Sequence, residues 1–157
     1  MAQWAYQRAT TAEVNRVAGP RPGTMVLSDV ILMHYMGRGM KGGGIYNRRP
    51  VRLGRAWSLH AGGRAADFMV PATGGVATKA GKALGDELFM RAIAAAEACG
   101  ICEIIWWDKR WTGDKGVQHY APTNHRDHVH IGQTVDMASR TDSTNLRRWF
   151  RHFLFER

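Results

Sequence analysis

Two short stretches must meet in space if their residues are to act together. They are Ser58-Leu59-His60-Ala61-Gly62-Gly63-Arg64-Ala65-Ala66-Asp67 and His125-Arg126-Asp127-His128-Val129-His130-Ile131-Gly132. Between them they carry four of the seven histidines, two aspartates and a Gly-Gly turn. The rest of the chain then serves to position them.

His128-Val129-His130 alternates, as a strand does, and residues two apart in a strand share a face. The two imidazoles therefore look the same way, either stacked in a polar groove or gathered around a metal. In the first stretch, a reversal at Gly62-Gly63 brings His60 back beside Asp67. Asp67 opens the apolar run Phe68-Met69-Val70, where a carboxylate is costly unless paired or bound to a cation. The bland alternative pairs Asp67 with Arg64. Two histidines and one aspartate make a three-ligand set, and catalytic zinc sites keep three protein ligands with a fourth position for water. A nearby group must then move the proton of that water. Asp127, His128 and His125 are the candidates. Arg48 or Arg64 could hold a substrate carboxylate.

The 157 residues are the size of one domain and can bury a core without a structural metal. One domain, 1–157, is expected. Its formal charge of +9 comes from 22 Lys+Arg against 13 Asp+Glu, scattered rather than gathered in a tail. Such a field attracts polyanions, whether nucleic acid or an anionic wall or membrane surface. Cys99 and Cys102 form a lone CxxC without a second pair, so they read as buried core thiols. Met1 to Thr11 lacks the apolar stretch of a signal peptide, and no run approaches a membrane span. The expectation is a chain made in the cytoplasm.

Thr10-Thr11-Ala12-Glu13 suggests a capping box for a short helix, stopped by Gly19-Pro20 and Pro22. Met25 to Met36 is apolar and ambiguous between a strand and a helix starting near Ser28 or Asp29. Gly37 to Gly44 reads as a mobile loop, and Ile45 to Arg48 as a short strand that Val51-Arg52-Leu53 could continue. The clearest helix runs from about Thr78 to Ala98, with Leu84, Leu88, Ala92 and Ala95 on one stripe and Gly100 ending it. Glu103 to Trp107 is a strand, Asp108 to Tyr120 a long loop or hairpin, and His128 to Val135 a strand. A last helix spans about 143–156, with Leu146, Trp149, Phe150, Phe153 and Leu154 on its apolar side and Arg147, Arg148 and Arg151 on the other. Trp57, Trp106, Trp107 and Trp111 could line a groove, although Trp106 or Trp107 belongs in the core because the strand alternates.

Taken together, these motifs resemble the zinc peptidase group that joins D-Ala-D-Ala metallopeptidases, lysostaphin-type endopeptidases and the hedgehog signalling domain. His60 and Asp67 match the first half of that signature, and His128 and His130 the second. The sequence is most similar to a bacterial and phage peptidoglycan peptidase branch, which also carries a strand ending as Ile105-Trp106, the run His125 to His130, and a segment like Tyr46-Asn47-Arg48. The similarity covers roughly residues 45–132. It implies an α+β fold with a small antiparallel sheet flanked by helices and zinc in an open groove. It also implies that His60, Asp67 and His130 are the Zn2+ ligands and that His128 acts beside the metal. The D-Ala-D-Ala branch has a glutamate base where this chain has Asp127. The shorter side chain leaves His125 as a substitute.

The expected function is a zinc-dependent peptidase that hydrolyses a peptide bond in bacterial peptidoglycan, as a carboxypeptidase or endopeptidase. It would be a phage endolysin or virion-associated wall hydrolase reaching the wall after holin release or from the virion. Its partners would be a stem peptide or cross-link and the anionic cell wall, with no nucleic acid and no membrane span, and the chain would be a monomer. The alternatives are a metal-dependent nuclease and a non-catalytic zinc- or wall-binding module. The nuclease reading draws on the charge and the His-x-x-Asp-His run but leaves His60 and Asp67 unexplained.

Overall fold

The structure, a computed structural model, describes residues 4–51 and 54–157. Its centre is β8 (His128–Gln133), flanked on one side by β2 (Ala65–Met69) and on the other by β5 (Ile101–Trp106). Outside these lie β1 (Lys41–Gly44), next to β2, and the hairpin β6 (Lys109–Thr112) and β7 (Gly116–His119), next to β5. All pairings are antiparallel, so β2 and β5 run the same way with β8 inserted between them. This split β-α-β arrangement is why two motifs far apart in sequence become neighbours.

The crossover is α3 (Lys79–Cys99), as the apolar stripe predicts. Thr78 caps it by accepting from the Gly81 N–H, and Gly100 ends it in the left-handed region at φ 60°. A two-stranded ribbon, β3 (Ala72–Thr73) with β4 (Val76–Ala77), leads into it. Gly85 lets α3 lie directly on Trp106, since a Cβ there would sit 2.2 Å from the indole. Trp106 is fully buried and donates to Asp86 at 2.8 Å.

Together with α3, two further helices cover the same sheet face: α2 (Pro22–Tyr35) and α5 (Ser143–Arg151). Leu27, Ile31, Leu88, Leu146 and Phe150 meet Ala66, Phe68, Ile104, Val129 and Ile131. Removing large apolar side chains from water in this way is the main favourable contribution to folding. A short helix, α4 (Val135–Ala138), joins β8 to α5, and a widened turn, His152–Glu156, ends the chain. Cys99 and Cys102 are free and buried, and burial pushes their thiols up to about 12 and about 11.

The opposite face is only partly covered. There α1 (Thr11–Arg16) and a 3-10 turn, Leu59–Gly62, pack Val14, Leu59 and Ala61 against Ala65 and Cys102. Thr10 caps α1 through Glu13 N–H, but the Glu13 carboxylate does not close the box. It binds Arg64 instead, at 2.7 Å.

Several expectations are corrected. Pro22 does not stop a helix but starts α2, because a proline at the first helical position gives up an N–H that has no partner there anyway. The glycine run is not all loop: Lys41–Gly44 is the edge strand β1. Gly43 lets β1 lie close on β2, since a Cβ there would lie 2.9 Å from Met69 Sδ and 3.0 Å from Asp67 Cβ and would push on both. Ile45 to Arg48 forms no strand, and Arg52 and Leu53 lie outside the described residues. Asp67 is the middle residue of β2, not its start. No helix among the described residues is long and apolar enough to cross a membrane.

Candidate metal centre

Register builds the site. Asp67 lies directly opposite His130 across the β2–β8 pair, and Met69 opposite His128. Strand alternation sends Phe68 and Val129 into the core and Asp67, His128 and His130 to the open face. His60 arrives from the 3-10 turn, held by Ser58 Oγ, which accepts its N–H at 3.3 Å. Gly63 completes the reversal at φ 68°, where a Cβ would lie 2.3 Å from Gly19 O. The expected return of His60 to Asp67 through Gly62-Gly63 is what the chain does.

Three atoms converge: His60 Nε2, His130 Nδ1 and Asp67 Oδ1, each 3.1 Å from the other two. The remaining ring nitrogens explain what these atoms carry. His60 Nδ1 lies 2.8 Å from the Ile45 carbonyl, which only accepts, so Nδ1 holds the proton. His130 Nε2 is buried and lies 3.3 Å from Glu103 Oε1, an acceptor it pairs with by charge without an aligned hydrogen bond. Both outer nitrogens are thus donors, and both inner nitrogens present lone pairs to a carboxylate oxygen. Three lone pairs at this spacing repel one another unless a cation lies among them. A divalent ion with tetrahedral ligands at ~2.0–2.1 Å has them about 3.3–3.4 Å apart, close to the spacing found. The backing of each imidazole by a carbonyl or carboxylate is the usual orientation of metal-ligating histidines. This group can hold a metal ion.

Without an ion, a proton must fill the same role. Burial disfavours the charged form of His130, but Asp67 and Glu103 outweigh it and push the imidazole up to about 9. Burial likewise raises Asp67, yet hydrogen bonds from His130 and His60 hold its carboxyl well below the usual carboxylate range.

His128 stands beside the group rather than in it. Its Nδ1 donates to Asp127 Oδ1 at 2.6 Å, and its Nε2 points toward Asp67 Oδ2 at 3.9 Å. β8 begins at His128, so Asp127 is free of the strand alternation and turns onto its neighbour. His125 packs its ring 4.6 Å from that of His128 and bonds Asn124 Oδ1 at 3.1 Å. Burial, then the neighbouring His130 and His128, push it down to about 3, so it is neutral. The carbonyls of His125, Arg126 and Asp127 accept from Trp107, Ala77 and Val70, which fixes this segment from three elements.

The group lies where two open lobes join. One, of about 970 Å³, is lined by Arg49, Pro50, Val51, Gly54, Arg55, Asp67 and His128 among others. The other, of about 580 Å³, is lined by residues including Arg8, His60, Glu103, Arg110, Tyr120 and His130. Arg49, Val51, Asn124 and His125 border both.

Neither expected substrate arginine faces this groove. Arg64 is fully buried and points away from Asp67, bonding Glu13, Gln133 O at 2.8 Å and Gln7 O at 2.5 Å. It ties the N-terminal segment to the end of β8, and this also removes the Asp67–Arg64 pairing. Arg48 bonds Asn15 on α1 at 2.9 Å and lies over the Trp57 ring. The adjacent Arg49 is the one in the groove. No tryptophan lines either lobe among the described residues. Glu103 is the residue that sequence reasoning missed. The signal was available, because a carboxylate inside the apolar strand Ile-Cys-Glu-Ile-Ile-Trp needs a partner for the reason that Asp67 does.

Fold and centre together define an α+β domain with a His/Asp/His group able to bind a metal. A family model described as VldE, C-terminal domain, matches residues 18–143, and the chain belongs to that family. The matched region contains every residue of the group. No curated protein and no solved structure matches the chain.

Proposed function

We propose that this chain is a zinc-dependent peptidase that hydrolyses a peptide bond of bacterial peptidoglycan, in phage lysis, virion entry or wall remodelling. One observation carries the metal-hydrolase part: three lone-pair atoms 3.1 Å apart, each imidazole backed by an acceptor, at the floor of an open groove. The peptide substrate rests on the resemblance to the zinc peptidase group with the hedgehog and D-Ala-D-Ala folds. The charge of +9 suits an anionic wall.

His60, Asp67 and His130 would hold the zinc. When bound, zinc supplies Lewis acidity, which makes water a nucleophile near neutral pH and polarises a carbonyl. His128 is the proton carrier in this reading. Asp127 accepts a hydrogen bond from its Nδ1–H and so keeps the proton on Nδ1, which leaves Nε2 bare and able to accept a proton from attacking water and return it to the leaving amine. Asp127 orients this imidazole rather than acting as base. His125 is neutral and forms a wall of the groove.

The test is digestion of purified peptidoglycan by the zinc-loaded chain, the chelated chain and His130→Ala, with new peptide ends identified by mass spectrometry. New amine and carboxyl ends that need zinc and His130 are expected. Full activity in folded His130→Ala would overturn the reading. Nicking of DNA with magnesium, and no peptide products, would favour a nuclease.

A further inference from the structure

The metal group sits between two lobes, not at the end of one. Asp67 and His128 face the first, and His60 and His130 face the second. Each lobe, at about 970 and 580 Å³, has the ~300–1,000 Å³ of a pocket that takes a drug-sized ligand. A carboxypeptidase releasing one small residue would leave most of one lobe empty. The groove is also unevenly charged. Arg55 lines the first lobe, Arg8 the second, and Arg49 both, and all three are exposed. None of them forms an ion pair among the described residues. Arg49 donates to the Pro50 carbonyl at 3.4 Å. The carboxylates lining the lobes are Asp67 and Glu103, both engaged with histidines. Arginine forks without carboxylate partners on both sides of the centre match a ligand carrying carboxylates on both sides.

We infer that the two lobes bind the two halves of one extended acidic peptide, so that the chain cuts an interior bond rather than trimming a terminal residue. This rests on the peptidase reading above. Hydrolysis breaks one interior C–N bond, adds a hydroxyl to the carbonyl carbon and a proton to the leaving nitrogen, and leaves two peptides. Arg55 and Arg8 hold carboxylates on opposite sides of that bond.

The experiment has two readouts on intact peptidoglycan sacculi. The zinc-loaded chain is incubated with sacculi, and released products are weighed by mass spectrometry. The chelated chain and its Arg8→Gln, Arg55→Gln and Arg148→Gln variants are also tested for retention on sacculi. Arg148 is an exposed residue of α5, on the helix-covered face away from the groove. Products of two or more residues are expected, with retention about five- to tenfold weaker in both groove variants and unchanged in Arg148→Gln. Release of single amino acids alone would overturn the inference, as would unchanged retention in either groove variant. Weaker retention in both with no products would uphold two-sided binding and refute hydrolysis.

Discussion

Glu103 stands behind the metal group, and its replacement should weaken metal binding without unfolding the chain. Its Oε1 faces His130 Nε2 at 3.3 Å and its Oε2 lies 2.6 Å from Arg110 Nε. Burial raises the Glu103 carboxyl, but His130 and Arg110 outweigh that and keep it ionised. In Glu103→Leu, His130 loses the acceptor that holds its proton on Nε2. The proton can then shift to Nδ1, the atom that would bind the metal. Partners of this kind usually account for 10- to 100-fold in affinity, or about 1.4–2.7 kcal/mol at 1.36 kcal/mol per decade. The lower half of that range applies here, because Nε2 is buried and pairs with Glu103 by charge at 3.3 Å without an aligned hydrogen bond. Glu103→Gln keeps an accepting oxygen without the charge and should lose about tenfold. The assay is competition for zinc against a chromophoric chelator, with circular dichroism confirming the fold. A Glu103→Leu affinity within twofold of the parent, in folded protein, would refute the reasoning.

Asp127→Asn should keep the metal and lower kcat by about 10²- to 10⁴-fold, since the amide no longer fixes the His128 tautomer. Parallel metal analysis and steady-state kinetics check it, and loss of metal would contradict the placement of His128 outside the ligand set. Glu13→Ala leaves the fully buried Arg64 without its carboxylate and should cost about 3–5 kcal/mol in denaturant unfolding. A cost below 1 kcal/mol would show that the carbonyls of Gln7 and Gln133 suffice. Gly63→Ala forces a side chain into φ 68° and against Gly19 O, and should cost about 3 kcal/mol. Gly74→Ala shares the backbone conformation, at φ 59°, but meets open space, so about 1 kcal/mol is expected. Equal losses in the two would remove steric contact as the cause.

What was legible in the sequence is what local chemistry determines. The α3 stripe between Thr78 and Gly100, the alternation through His128 and His130, and the Gly62-Gly63 reversal each follow from neighbours in the chain. The choice among Asp127, His128 and His125 was not legible, because it depends on β8 starting at His128 and leaving Asp127 outside the alternation. Arg64 is near Asp67 in sequence and so reads as its partner or as a groove residue, which it is not. Its partner, Glu13, comes from α1, and nothing local points there. β1 is not legible because Lys-Gly-Gly-Gly has no strand propensity of its own. Its strand is imposed by β2, on which position 43 packs closely. Glu103 needed the cross-strand register of β5 with β8 before its partner could be named.

The most direct measurement is the zinc content of the purified chain after loading and desalting, taken beside His60→Ala, Asp67→Ala, His130→Ala and His128→Gln. About one zinc per chain is expected in the parent and in His128→Gln, with loss in each of the three ligand variants. No retained metal in the folded parent, or full retention in His130→Ala, would contradict the assignment of the centre.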